Sequence, residues 1–252
     1  MEPLAAVDSV EVGDLAWAQR AGDFARDGRV PAEPARRALT AYEQALAAAP
    51  ESLDLRFKVM EARYFCGYFL TDSPKERRRT FEDLVILAED TVAVSETSQD
   101  AVRAHFWAAI SWGLWGMSHS YLASGAKGVA GKVRDHAQKV ISLDPGYADG
   151  GGLRLLGRLH TATPRIPLFT GWIDREEGLA LLERALELSD EDPRNALFLA
   201  EAILEYRPAD RRRALELLRE LSSRSPDPDH LVEQSEALSR ARRLLADLER
   251  PR

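Results

Sequence analysis

Cysteine is almost absent from this chain of 252 residues. Its one thiol, Cys66, excludes an internal disulfide framework and any structural zinc site built from several thiolates. It lies in Tyr64-Phe65-Cys66-Gly67, an apolar setting that suits an inert, packed thiol. No segment approaches the run of about 18 to 20 apolar residues that a membrane span needs. An excess of basic residues is also missing. The net charge is −7, so nothing global favours nucleic acid or an anionic membrane. The histidines (His105, His119, His136, His160 and His230) fall in no His-Glu-x-x-His or other ligand spacing, which argues against a metal. No Gly-x-Ser-x-Gly elbow and no spaced set of acid, base and nucleophile occurs, so the chain reads as non-enzymatic and without a cofactor. Alternation of period two is not sustained anywhere, and this removes the case for a sheet.

What the chain does have is a recurring spacing. A small or apolar residue is followed by others four and seven positions on, with a proline at twelve. The copies are Ala38, Tyr42, Ala45, Pro50; Val133, Ala137, Val140, Pro145; and Ala214, Leu218, Leu221, Pro226. A fourth, Gly178, Leu182, Ala185, delays its proline to Pro193. Offsets of four and seven mark one side of a helix, and the proline stops it. Helices that cannot bury their stripe alone, repeated along a chain, predict an all-α fold, an α-solenoid of stacked helical hairpins.

Breaks where Gly, Pro, Asp and Ser cluster divide the chain into helices at about 14–27, 33–48, 52–70, 74–92, 100–120, 128–142, 149–160, 175–189, 193–206, 209–223 and 229–249. Ser73 is placed to cap the fourth, with Pro74 at its first position. Residues 1–12 read as a loose N-terminal segment and 13–250 as a single helical-repeat domain. Thr163–Asp174 is the longest irregular loop.

Three interruptions of the pattern are the candidates for function. The helix from His105 to Met117 carries Trp107, Trp112 and Trp115, and a small-residue stripe of Ala109, Gly113 and Gly116 that predicts close approach of a neighbouring helix. Its aromatics form either a buried solenoid core or the lining of an apolar ligand pocket. The start Asp149-Gly150-Gly151-Gly152 precedes Arg154 and Arg158, which share a helix side. Either the two arginines clamp an anion at the helix N-terminus, or the glycines permit helix crossing while the arginines pair with nearby Asp or Glu. In the loop Pro164–Trp172, Phe169 and Trp172 are candidates for a lid or lining, or for plain core packing. The Gly125–Val133 segment fails as a phosphate loop, because positions 126 and 133 are Ala and Val and no strand precedes it. Arg77–Arg79 and Arg211–Arg213 read as solvated faces near helix starts.

With these residues in view, the chain resembles the tetratricopeptide-like T-components of TRAP transporters, bacterial helical-repeat proteins. The likeness is densest from about Ala104 to Glu220. It runs through Phe106-Trp107, Ile141–Tyr147, Gly151-Gly152-Leu153-Arg154-Leu155-Leu156-Gly157-Arg158-Leu159, the loop with Pro164 and Pro167, and Ala196–Glu201. The resemblance implies a tetratricopeptide-like right-handed superhelix without catalysis. It also implies a homo-oligomer, a substrate-binding transporter subunit as protein partner, and an apolar or organic-acid ligand in an aromatic-lined cleft. Trp107, Trp112, Trp115, Phe169 and Trp172 would line that cleft, with Arg154 and Arg158 orienting an acidic group. The alternative is a cytoplasmic protein–protein interaction scaffold with no small-molecule ligand. Met1–Gly13 holds no basic segment followed by an apolar run and no lipid-bearing cysteine. The expected location is therefore cytoplasmic, or periplasmic if an export signal has been removed.

Overall fold

The computed structural model describes residues 2–22, 24 and 28–250. Packing divides the chain into two compact units, Met1–Val129 and Ala130–Arg252. Among the described residues there is no strand. Each unit is built from antiparallel helical hairpins, so the chain is an α-solenoid of the kind that the spacing predicts.

The first unit contains α1 (Glu2–Ala18), α2 (Ala32–Ala48), α3 (Leu53–Phe69), α4 (Pro74–Val94), α5 (Ser98–Ser118) and the short α6 (Tyr121–Ala126). Each of the first four packs on the next. Their core joins Phe57 and Met60 of α3, Phe81, Leu84 and Ala88 of α4, and Ala104, Ala108 and Leu114 of α5. A second cluster holds Ala16 of α1 against Ala38 and Tyr42 of α2 and Val59 and Ala62 of α3. Ser73 accepts a hydrogen bond from the Glu76 amide and Pro74 occupies the first helical position, as its sequence predicts. Residues 2–12 are helical and belong to α1. Pro3 is tolerated because it sits in the first turn, where its missing N–H has no intrahelical acceptor. Gly13 lets α1 press against α2, for a Cβ there would lie 2.4 Å from the Tyr42 ring. The far end of the helix expected at 14–27 falls partly outside the described residues.

The second unit contains α7 (Val129–Leu143), which begins at the boundary, then α8 (Tyr147–Ala162), α9 (Arg175–Leu188), α10 (Pro193–Tyr206), α11 (Arg211–Ser223) and α12 (Leu231–Glu249). From α8 onward each helix packs on the next, and α10 also meets α8 and α12. Helices α8, α10 and α12 therefore lie along one side, with α9 and α11 behind them. The core gathers Leu179 and Leu182 of α9, Leu199 and Ile203 of α10, Ala214, Leu218 and Leu221 of α11, and Ala237, Leu238 and Ala241 of α12.

Every residue at the first three positions of the four repeat copies is buried. A fifth copy, Phe81, Val85 and Ala88 on α4, is buried in the same way. It lacks the proline: position 93 is Ala, and the helix runs on to Val94.

Candidate functional site

In the first unit, Trp112 and Trp115 are closed into the packing of α5, at 6 % and 4 % exposure. The Trp112 indole N–H donates to Glu89 Oε1 at 2.6 Å. Trp115 stacks on the His119 ring at 3.6 Å, with the Lys127 ammonium 5.2 Å from its centroid. Trp107 is half-buried and meets Tyr64 edge-on at 6.0 Å. The small-residue stripe makes a tight crossing only in part. A Cβ on Gly116 would come 3.2 Å from Val129, but one on Gly113 would meet nothing within 4 Å, because that side of α5 stands open.

The second unit carries Arg154, Arg158, Phe169 and Trp172. Its glycine-rich helix start is an unusual turn. Ala148, Asp149 and Gly150 all adopt left-handed backbone angles, with φ of 50°, 57° and 71°. Two of the three are not glycine, so sterics oppose the turn by about 1–2 kcal/mol per residue and something must hold it. Arg154 does. Only 3 % exposed, it donates to the carbonyls of Ala148 and Asp149 at 3.3 and 3.2 Å and to Asn195 Oδ1 at 2.9 Å. It also pairs with Asp192 at 3.1 Å. Asn195, the chain's single asparagine, sends its amide N–H groups to the carbonyls of Asp149, Ala185 and Ser189. Asp192 caps α10 through the Arg194 amide. Burial alone would raise its pKa, but Arg154 and Arg194 hold the carboxyl well below the ordinary range.

The glycines serve close packing. A Cβ on Gly152 would sit 2.9 Å from Val140 of α7, and one on Gly157 would sit 2.8 Å from Leu182 and 3.0 Å from the Gly178 carbonyl of α9. Of the two readings of this stretch, helix crossing with acid-paired arginines describes the geometry.

Arg158, one turn further along α8, lies elsewhere in the unit. It donates to Glu201 Oε2 at 2.9 Å and rests on the Phe198 ring at 4.6 Å. Arg240 of α12 reaches the other oxygen of Glu201 at 2.6 Å. Burial holds the Arg158 guanidinium below the usual arginine range; Glu201 works against that and Arg240 adds to it. These side chains wall an open groove of about 480 Å³ across α8, α10 and α12, completed by Thr161, Ala162, Leu204, Glu205 and Leu244. Its floor is leucine, and its walls are mostly charged. The Tyr206 hydroxyl donates to Glu205 at one end of it. No spacing in the sequence links Arg158, Glu201 and Arg240, because they stand on separate hairpins.

In the loop after α8, Thr170 is the fixed point. Its hydroxyl accepts from the Ile166 amide and donates to the Pro164 carbonyl. Ile173 is buried, and Trp172 meets His160 edge-on at 5.5 Å with the Arg134 guanidinium over its ring. Phe169 and Leu168 project from the tip, 45 % and 99 % exposed. The loop thus separates the two candidates: Trp172 packs, Phe169 does not.

Among solved structures, the chain is similar to TTC0263, a thermophilic TPR protein of Thermus thermophilus, with a TM-score of 0.60 and 16% identity over 93% of this chain and 99% of that one. The fold is tetratricopeptide-like. A second similar structure, the MamA protein, aligns at a TM-score of 0.46 and 14% identity over 98% of this chain and 97% of that one. No family model and no curated protein matches the sequence. Among the described residues no helix is long and apolar enough to cross a membrane, and no group of His, Cys, Asp and Glu is arranged to hold a metal.

Proposed function

We propose that this chain is a protein-interaction module whose second unit receives a partner segment in the groove across α8, α10 and α12. One observation carries the reading. Three helices from successive hairpins contribute to a single open groove in which partly exposed leucines alternate with ion-paired side chains. An apolar floor supplies the burial that drives association, and polar walls set the register of what lies on it. The tetratricopeptide-like fold supports the same reading by analogy of architecture alone.

The finer partnership implied by the likeness to TRAP T-components is a transporter's substrate-binding subunit with an organic acid. It draws on the Gly-Gly…Arg…Gly-Arg string. Arg154 and the glycines of that string are engaged in holding α7 to α10 together, which leaves Arg158 as its one member in the groove.

The test is to block the groove. Ala162 is exposed at its wall, so Ala162→Trp fills the space without disturbing the core. A protein retained by the wild-type chain and lost with Ala162→Trp, at unchanged circular dichroism, supports the groove as the docking surface. Equal retention by both overturns it.

A further inference from the structure

Leu168 stands at the tip of the loop after α8, 99 % exposed and with a left-handed φ of 75°. Both features are unfavourable for leucine. Water meets nearly the whole side chain, and the backbone angle presses its Cβ on the following carbonyl. The loop holds this conformation all the same. Buried Thr170 takes the Ile166 amide at 2.8 Å and gives its own proton to the Pro164 carbonyl at 2.7 Å. The amides of Phe169 and Thr170 both donate to the Ile166 carbonyl, and Arg165 donates to that of Gly171. Pro164 and Pro167 fix two further φ angles. Pro167, Leu168 and Phe169 therefore form a preorganised apolar tip outside the core of their own unit.

Charge selects the surroundings that suit it. No Asp or Glu occurs from Gly150 to Ile173, in a chain that has 41 of them. Exposed Arg165 is the charged side chain of the tip. The acids that come next are engaged at the start of α9, where Asp174 accepts the amides of Glu176 and Glu177 and Glu176 pairs with Arg207. A convex apolar tip beside a cation, with no acid in the segment, matches the headgroup boundary of an anionic bilayer. A protein pocket would have to enclose the tip and has no use for an acid-free flank.

We propose that the tip at residues 165–169 is a membrane-surface contact. Leu168 and Phe169 enter the interface of an anionic bilayer, and Arg165 pairs with lipid phosphate. The contact is peripheral and reversible, and it does not depend on the groove.

The full chain is sedimented with vesicles of phosphatidylcholine, with and without phosphatidylglycerol, beside Leu168→Gly, Phe169→Ser and Arg165→Gln. Glycine is at ease at φ of 75°, so Leu168→Gly should melt no lower than the wild type. It should nevertheless bind anionic vesicles about tenfold more weakly, the scale of losing one buried leucine. Phe169→Ser should lose a similar factor, and Arg165→Gln should lose most of the gain that phosphatidylglycerol brings. A wild-type chain left in the supernatant by both vesicle types overturns the proposal. So does binding that is indifferent to phosphatidylglycerol, or that Leu168→Gly and Phe169→Ser leave unchanged. A soluble protein held by the wild type and lost with Leu168→Gly, without vesicle binding, would give the tip to a protein interface instead.

Discussion

Arg154 Nη1 donates to Asn195 Oδ1 at 2.9 Å, across a separation of 41 residues, and neither side chain touches bulk water. The pair fastens a left-handed turn at the start of α8 to the first turn of α10. Its members are polar groups whose bonds are made inside the protein, so removing one leaves the others unsatisfied.

Asn195→Ala should therefore be costly. It removes a donor from three backbone carbonyls, of which Asp149 keeps Arg154 and Ala185 keeps the Ser189 amide, and it takes the acceptor from one direction of the Arg154 fork. A loss of about 3 kcal/mol in unfolding free energy is expected from urea titration followed by circular dichroism. A loss below about 1 kcal/mol would show that water replaces the asparagine without penalty.

Asp192 gives the same network a pH dependence. Its folded carboxyl ionises well below its unfolded value of about 4, so its contribution is complete above that pH and drains away as pH falls through it. Asp192→Asn should be less stable than the wild type at neutral pH by about 3 kcal/mol, since it leaves Arg154 buried without its anion. The gap should narrow steadily as urea titrations move from neutral to strongly acid solution. A gap independent of pH would mean that the carboxylate is not held by the two arginines.

His160 works near neutrality. It is 2 % exposed, and its Nδ1 accepts the Asp174 amide at the start of α9. Burial lowers its pKa, with Glu177 and Asp174 partly opposing. The neutral ring is thus the folded form, and its contribution is full above about 6.5 and lost as pH drops below that value. His160→Phe keeps the ring packing but not the acceptor. Its deficit in melting temperature should be largest at pH 7 and smaller at pH 5; a deficit that grows on acidification would contradict the assignment.

Two glycine substitutions should act in opposite directions. Gly157→Ala drives a methyl to within 3.0 Å of the Gly178 carbonyl, which cannot rotate away, and should destabilise by roughly 1–3 kcal/mol. Gly113→Ala meets no atom within 4 Å and should gain up to about 1 kcal/mol from helix propensity. Thermal melts of the two variants decide the matter, and a destabilised Gly113→Ala would mean that α5 has a close neighbour at that point.

The architecture was legible because its signal is local. Ala38, Tyr42 and Ala45 lie on one helix side by spacing alone, and burial of that side follows from stacking. The copy on α4 escaped because Ala93 stands where a proline would end the helix. The helix at residues 2–12 escaped because no 3.6-residue stripe marks it in the sequence. Side-chain partnerships were harder to read. That Arg154 and Arg158 would find acids could be anticipated from their charge. That one would vanish beneath Asp192 and Asn195 while the other would share Glu201 with Arg240 depends on three hairpins meeting.

The left-handed turn at Ala148–Gly150 also bears on how the protein comes apart. Arrays in which each repeat touches only its neighbours can unzip one hairpin at a time. Here the amide of Asn195 grips carbonyls at residues 149, 185 and 189, so α10 cannot leave while α8 and the end of α9 stay in place. These three helices form one cooperative block, and their amides should exchange with a common opening free energy. Helices α11 and α12, which lack such a clasp to α8, are free to open before it, as the loose end of a zip whose middle is sewn shut.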